Sequence, residues 1–410
     1  METPAGVHSL MAMKRALLLS LCLSLACSES GPGGSPGAAG SGGGGASNAG
    51  AAASGGGMSG GGQTTNGAGG VTQAGSSSGG STNAGTGAVA GSGGSAPSDP
   101  DPLLIYWVDV EGGAATILVA PNGEVVVVDA GNPGERDAGR IAAVLQDELQ
   151  VEQIDHMIVT HYHGDHVGGV PVLADLVPIA KYYDHGATVQ QSGSFDDYVE
   201  LAGANRTLLE PGDVLTLGDV VLTFVTGAGK VIDPPLAGGG ANPLCPSNVT
   251  KDMDGGAENG QSLGFVARFG DFDFLDLGDL TWDIEQLLMC PTNRVGVVDL
   301  FQVNHHGQDF SNSPQMVHAV APAVAVMNNG ATKGGHVEVF ETLFSSPGIE
   351  DVWAVHQAVN NGAEHNAEPD LIANPAGNDE AHFIKASVAA DGSYTVTNGR
   401  NQVTRNYTSR

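Results

Sequence analysis

The stretch VEQIDHMIVTHYHGDHVGGV, residues 151–170, decides the reading of this chain, and within it the six residues His161-Tyr162-His163-Gly164-Asp165-His166. Three imidazoles and a carboxylate this close together do not share one helix face or one strand face, so they are expected to converge on a turn. Ile154 to Thr160 reads as a short strand centred on Met157, Ile158 and Val159, and Gly168-Gly169 frees the backbone before a helix. The candidate ligands therefore stand at the carboxyl end of a strand. Neutral imidazole and carboxylate suit zinc, manganese or iron, and burying Asp165 among them is costly without a cation. A solvated His-rich loop is the competing reading, and a second set of candidate ligands downstream argues against it.

Upstream of this turn, Leu103 to Val110 and Ala115 to Ala120 read as strands, and Pro121-Asn122-Gly123-Glu124 turns the chain into Val125-Val126-Val127-Val128. Four consecutive valines suit an interior strand covered on both faces, and this one ends at Asp129. Gly139 to Leu149 has a helical apolar period. Downstream, strands are expected over Pro178 to Tyr183, Val214 to Leu217, Val220 to Val225, Ser262 to Phe269, Phe272 to Leu277, Val297 to Val303 and Val324 to Met327, with a helix around Trp282 to Leu288. Gly227 to Gly260 has no apolar period and reads as an exposed, substrate-facing loop. Strand after strand ends on or next to an acid or an imidazole: Asp129, His161, Asp279, His305.

The chain has 410 residues and a formal charge of -30, and the region before residue 100 is rich in its 63 glycines. Lys14-Arg15 followed by the apolar run Ala16 to Ala26 reads as a secretory signal too short to be a permanent span. Its end, Leu23-Ser24-Leu25-Ala26-Cys27, resembles a bacterial lipobox. The expected product is exported from a bacterial cell and lipid-anchored through Cys27, or otherwise secreted. Residues 28–98 are mainly Gly, Ser, Ala, Asn and Thr, with too little apolar surface to offset the entropy of ordering. They read as a flexible tether with a reach on the order of 45 Å. Residues 99–410 form the expected globular domain, long enough for one substantial core.

The motif at His161 to His166 resembles the HxHxDH hallmark of the metallo-β-lactamase superfamily, and the likeness runs from Pro102 to about His356. Within that superfamily the chain is similar to the ComEC-like branch through Asp109 to Thr116, VVDAG at 127–131, Asn259 with Ser262-Leu263, LGD at 277–279 and HHG at 305–307. The resemblance implies an α/β fold, a four-layer αββα sandwich with the site at strand ends. It also implies two divalent metal ions, zinc first, with manganese or iron as alternatives. His161 and His163 would bind one metal, Asp165 and His166 the second, and Asp279 would bridge both. His305 is implied as the late ligand and His306 as a ligand or proton donor, while Asp129 would orient the turn. Asp165, His306 and Asp129 are thus the residues expected to serve catalysis. His336, in a sequence reading Gly335-His336-Val337 where the branch has Gly-His-Pro, is a further candidate, with His185 and Asn259. The other histidines, His156, His318, His356, His365 and His382, read as structural or exposed.

Two cations sharing a bridging hydroxide make hydrolysis the expected reaction, and phosphodiesters lead because two metals stabilise both entering and leaving oxygens. A lactonase or β-lactamase is the rival enzyme, although β-lactamases often have Cys where Asp279 stands, and a non-catalytic binding module the rival class. With 45 acidic against 15 basic residues, nucleic acid is a disfavoured partner, and a small-molecule or headgroup phosphodiester fits better. GAGK at 227–230 lacks the spacing of a phosphate loop. Cys245 and Cys290, the cysteines beyond the signal region, are expected to pair in an exported protein.

Overall fold

Four layers follow from two strand-rich halves whose side chains alternate between an inner and an outer face. The structure, a computed structural model, describes residues 101–245, 256–377 and 380–410. The expected signal, linker and Cys27 anchor lie outside the described residues.

The first half contributes β1 (Leu103–Trp107), β2 (Thr116–Val119), β3 (Val125–Val128), β4 (Ile154–Ile158), β5 (Ile179–Asp184) and β6 (Arg206–Leu208), with α1 (Glu135–Ala143), α2 (Gly164–Val167), α3 (Val170–Leu176) and α4 (Gly193–Ala202) between them. The second contributes β7 (Val214–Leu217), β8 (Val220–Gly227), β9 (Lys230–Val231), β10 (Gly240–Ala241), β11 (Gly264–Phe269), β12 (Phe272–Asp276), β13 (Thr292–Asn293), β14 (Leu300–Gln302), β15 (Val324–Met327), β16 (Asp351–His356) and β17 (Ile372–Asn374). Its helices are α5 (Gly256–Asn259), α6 (Trp282–Met289), α7 (Pro314–Val320) and α8 (Val337–Phe344). The chain then returns to the first sheet as β18 (Ile384–Val388), β19 (Ser393–Asn398) and β20 (Thr404–Thr408).

One sheet runs β20-β19-β18-β1-β2-β3-β4-β5-β6 and the other β17-β16-β15-β14-β12-β11-β8-β7. Leu103, Ile105, Trp107, Val126 and Val128 of the first face Phe224, Phe265, Phe274, Leu300 and Trp353 of the second in a common core. The alternate residues Tyr106, Val125 and Val127 turn outward beneath α1, α3 and α4. Leu275, Phe301 and Ala325 turn outward beneath α6, α7 and α8. This is the αββα sandwich, and the valine run of β3 is covered on both faces. Among the described residues no helix is long and apolar enough to cross a membrane.

Several expectations need correction. The helix read from Gly139 begins four residues earlier, at Glu135, and gives way at Val144 to a π turn through Glu148. The first strand stops at Trp107, and Asp109, two residues on, pairs with His356. Val297 is exposed and only Leu300 to Gln302 of the stretch 297–303 forms a strand. Gly227 to Gly260 is not simply an exposed loop: Lys230 pairs back onto Gly227 in a hairpin, and Ile232, Asn242, Glu258 and Asn259 are buried. The expected pairing of Cys245 with Cys290, by contrast, is present, with Cα atoms 5.7 Å apart. The C-terminal strands that extend the first sheet from β1 carry no signal read in the sequence.

Candidate metal centre

The parallel strands β3, β4 and β5 of one sheet and β12, β14, β15 and β16 of the other end on the same rim of the sandwich, where their last residues meet. Asp129, His305 and His306 there all take the left-handed backbone region, with φ of 59°, 52° and 54°. Three non-glycine residues in that region mark strained turns held by their surroundings.

Asp129 organises the turn from behind. Its carboxylate accepts from the Thr160 amide at 2.8 Å, from Thr160 Oγ1 at 2.7 Å and from His166 Nδ1 at 2.7 Å. Because the Thr160 hydroxyl donates to Asp129, its oxygen accepts from His161 Nδ1 at 3.1 Å. His306 Nδ1 donates to the Asn328 carbonyl at 3.3 Å. In this hydrogen-bond network all three imidazoles use Nδ1 behind the site and turn Nε2 towards the cleft.

Those nitrogens converge on Asp279, which is 3% exposed. Its Oδ2 lies 3.1 Å from His166 Nε2, 3.2 Å from His305 Nε2, 3.5 Å from His306 Nε2 and 3.8 Å from His161 Nε2. His166 and His306 stand with Nε2 atoms 3.2 Å apart, and Asp165 Oδ2 is 3.6 Å and 3.3 Å from them. His161 Nε2 and His163 Nδ1 are 3.0 Å apart. Lone pairs and carboxylate oxygens facing one another under burial repel unless a positive charge sits among them, so this donor set fits a cation. The electrostatics agree. Burial opposes ionisation of Asp279, but His166, His305 and His306 outweigh it and hold its carboxyl well below the usual range. Burial likewise opposes charge on His166 and His306, yet Asp279 and its neighbouring carboxylates outweigh it and raise both. Burial pushes His305 down to about 4, leaving it neutral.

Asp165, His166, Asp279 and His306 form one set whose donor atoms lie within 4.8 Å of one another. His161 borders it through Asp279, with His163 beside His161. The sequence reading put His305 ahead of His306 as the late ligand, whereas the fold gathers His306 into the four-residue set. His305 lies outside that set, with its Nε2 against Asp279 and Ser311 behind its Nδ1 at 3.2 Å. Asn259 Nδ2 is 3.5 Å from His305 Nε2. His336 and His185 are not in the cluster. His336 is partly exposed and pairs with Asp309, and His185 is buried against Glu258 at 3.2 Å.

Residues 109–240 match the family model described as the metallo-beta-lactamase superfamily. Residues 109–240 of this chain thus carry a metallo-beta-lactamase superfamily domain. Members of the superfamily bind divalent metals, often two. The chain is 28% identical over 242 residues to Recombination protein 2 of Haemophilus influenzae, covering 58% of this chain and 26% of that protein. It is 26% identical over 243 residues to a UPF0173 metal-dependent hydrolase of Anaeromyxobacter dehalogenans, covering 58% of this chain and 76% of that protein. The chain thus spans about a quarter of the first relative and three quarters of the second. Among solved structures, the metallo-beta-lactamase fold protein YhfI of Bacillus subtilis has 12% identity and a TM-score of 0.40, covering 62% of this chain and 96% of that one.

Several supports of this metallo-beta-lactamase site escaped the sequence reading. Tyr162, the residue between the first two motif histidines, points away from the cleft and donates to Asp184 at 2.8 Å, where Arg206 clamps both carboxylate oxygens at 2.6 and 2.9 Å. Glu258 is fully buried, accepting from the Tyr162 amide at 3.2 Å and the Val189 amide at 2.9 Å. Glu285 accepts from Asn304 Nδ2 at 2.8 Å and the amides of Asn312 and Ser313 at 2.6 and 2.8 Å, fixing the turn that carries His305 and His306. Lys333, in the turn between β15 and α8, ion-pairs with Asp165. A lysine beside Gly334-Gly335-His336 was visible in a chain with only 15 basic residues, but nothing local tied it to residue 165.

Proposed function

We propose that this metal-dependent hydrolase of the metallo-beta-lactamase superfamily holds two divalent cations and cleaves a phosphodiester. The observation that carries the reading is the shared Asp279 oxygen, which has four imidazole nitrogens within 3.8 Å and adjoins both the His161–His163 pair and the Asp165, His166, His306 set. His161, His163 and Asp279 would hold one cation, and Asp165, His166, Asp279 and His306 the other. When bound, such a pair lowers the pKa of water towards neutrality and polarises the bond under attack. Asp129 keeps the imidazoles of His161 and His166 in the ligating tautomer, the first through Thr160. His305, neutral and 8% exposed, stands beside Asp279 at the cleft and is positioned as a base that would take up a proton from the attacking water. The phosphodiester reading is supported by the two adjacent donor sets, since paired cations stabilise both the entering and the leaving oxygen of an in-line displacement.

The metal itself, zinc first in this reading, and the substrate are decided by one experiment. Elemental analysis of the purified full chain is combined with turnover of bis-para-nitrophenyl phosphate, phosphorylcholine esters, single-stranded DNA, a lactone and a cephalosporin. Single-stranded DNA is included to test the nucleic-acid reading, which the charge of -30 opposes. About two metals per chain with diester cleavage supports the reading; cleavage of the lactone or cephalosporin alone replaces it with the rival hydrolase, and a chain that binds no metal and turns over nothing replaces it with a binding module. Export and acylation at Cys27 belong to the same proposal. An unmodified mature terminus beyond Cys27, read by mass spectrometry of the membrane fraction, would remove the anchor.

A further inference from the structure

We propose that Lys333 is the anion-binding arm of this site, recognising a charged oxygen of the substrate that is not under attack. The inference rests on the phosphodiester reading above and names how that site tells an anionic substrate from a neutral one. Lys333 is held by its backbone: its carbonyl accepts from the Gly330 amide at 2.9 Å, and the next residue, Gly334, has φ of +72°. A Cβ on Gly334 would lie 1.9 Å from the His306 carbonyl oxygen, so this turn is seated directly on the turn that carries His306. The Lys333 side chain is 38% exposed and its ammonium is paired with Asp165 Oδ2. That same oxygen faces His306 Nε2 at 3.3 Å and His166 Nε2 at 3.6 Å on its inner side.

Asp165 therefore has an inner side lined by imidazoles and an outer side taken by an ammonium. An ammonium and a divalent cation at neighbouring positions repel each other, so a cation among the imidazoles leaves Lys333 on the outer, solvent-facing side. Three donors on a flexible stem then face the mouth of the cleft. A diester monoanion carries two non-bridging oxygens, and the arrangement offers the inner cation site to one and Lys333 to the other. In a chain with three acidic residues for each basic one, a fixed positive charge at the mouth offsets the long-range repulsion an anionic substrate meets.

The test uses the metal-loaded full chain and the variants K333A and K333R. Metal content is measured by elemental analysis, inorganic phosphate binding by calorimetric titration, and KM and kcat with bis-para-nitrophenyl phosphate. K333A is expected to keep its metal and bind phosphate about tenfold more weakly, the effect of one charge-assisted hydrogen bond. KM should rise with kcat little changed, and K333R should restore most of both losses. Unchanged phosphate affinity in K333A overturns the proposal, as does loss of metal from K333A, which would make Lys333 a prop of the metal site. The two readings fail separately: a wild-type chain that hydrolyses only the lactone ends the phosphodiester reading, while the phosphate titration still decides the role of Lys333.

Discussion

At the scale of single residues, the site is one carboxylate oxygen surrounded by imidazoles. Asp279→Ala removes the oxygen that both donor sets share, so metal content should fall towards zero and turnover with it, as elemental analysis and a diesterase assay would show. His306 and His305 should part company. His306→Ala removes a member of the four-residue set and should cost about one metal per chain, whereas His305→Ala should keep both metals and lower kcat at unchanged metal content. Equal metal loss from both variants would make His305 a ligand. Gly113 shows why the Gly-Gly of the segment 109–116 stands where it does. A Cβ there would lie 2.6 Å from the Asp165 carbonyl oxygen, which accepts from the Ala114 amide at 3.0 Å. Gly113→Ala must push the motif turn aside, and weaker metal binding, measured by competition with a chelator, is the expected result.

At the scale of elements, buried acids hold the turns at the strand ends in addition to the turns' own hydrogen bonds. Glu285 on α6 ties Asn304 to Asn312 and Ser313 across the base of the His305-His306 turn. Glu285→Gln places an amide where an oxygen accepts, and a loss of about 2 kcal/mol in denaturant unfolding is expected, with weaker metal binding. Glu285→Ala should lose more. The disulfide acts on a different segment, tying the chain after β10 to Cys290 at the end of α6, two residues before β13, which pairs with β10. It closes a loop with a sequence separation of 45, so reduction should lower stability by about 4 kcal/mol in the chain-entropy account. A midpoint that does not move under reductant would show that the β10–β13 pair holds without it.

At the scale of the whole molecule, polar contacts between the two sheets fix the rim on which the site is built. Gln302 of β14 accepts from Trp107 Nε1 at 2.8 Å and from Thr116 Oγ1 at 2.7 Å, inside the shared core. Asp109, just past β1, meets His356 at the end of β16 at 2.6 Å and Arg140 of α1 at 3.2 Å. Burial opposes the charge on Asp109, but His356, the Glu111 amide and Arg140 outweigh it and hold the carboxyl below its ordinary value of 3.8. A carboxyl depressed in the folded state stabilises the fold above that ordinary value, and the contribution is lost as pH falls through the lower folded value. Stability should therefore drop on acidification below about pH 4. Asp109→Asn should lose about 3 kcal/mol near neutrality and show a shallower acid limb in pH-dependent thermal unfolding.

The residues of the motif turn and the strand ends at Asp129 and Asp279 were legible because they depend on local pattern, and the layered α/β architecture because those motifs resemble a known superfamily. A four-valine run, an alternating strand or a packed HxHxDH turn carries its own period and chemistry. What was not legible depends on contacts between distant parts of the chain. Whether His305 or His306 enters the donor set depends on two left-handed residues in succession and on where Asn328 and Ser311 lie behind them. The pairing of Lys333 with Asp165 spans 168 residues, and that of Asp109 with His356 spans 247. The return of β18 to the edge of β1 gives the first sheet its final three strands, and no segment of that sequence names its partner. Residue types and spacing determined that this chain would gather imidazoles and carboxylates at strand ends. Only the tertiary structure decided which of them share an oxygen and which charges stand behind them, because burial and pairing are properties of neighbours in space.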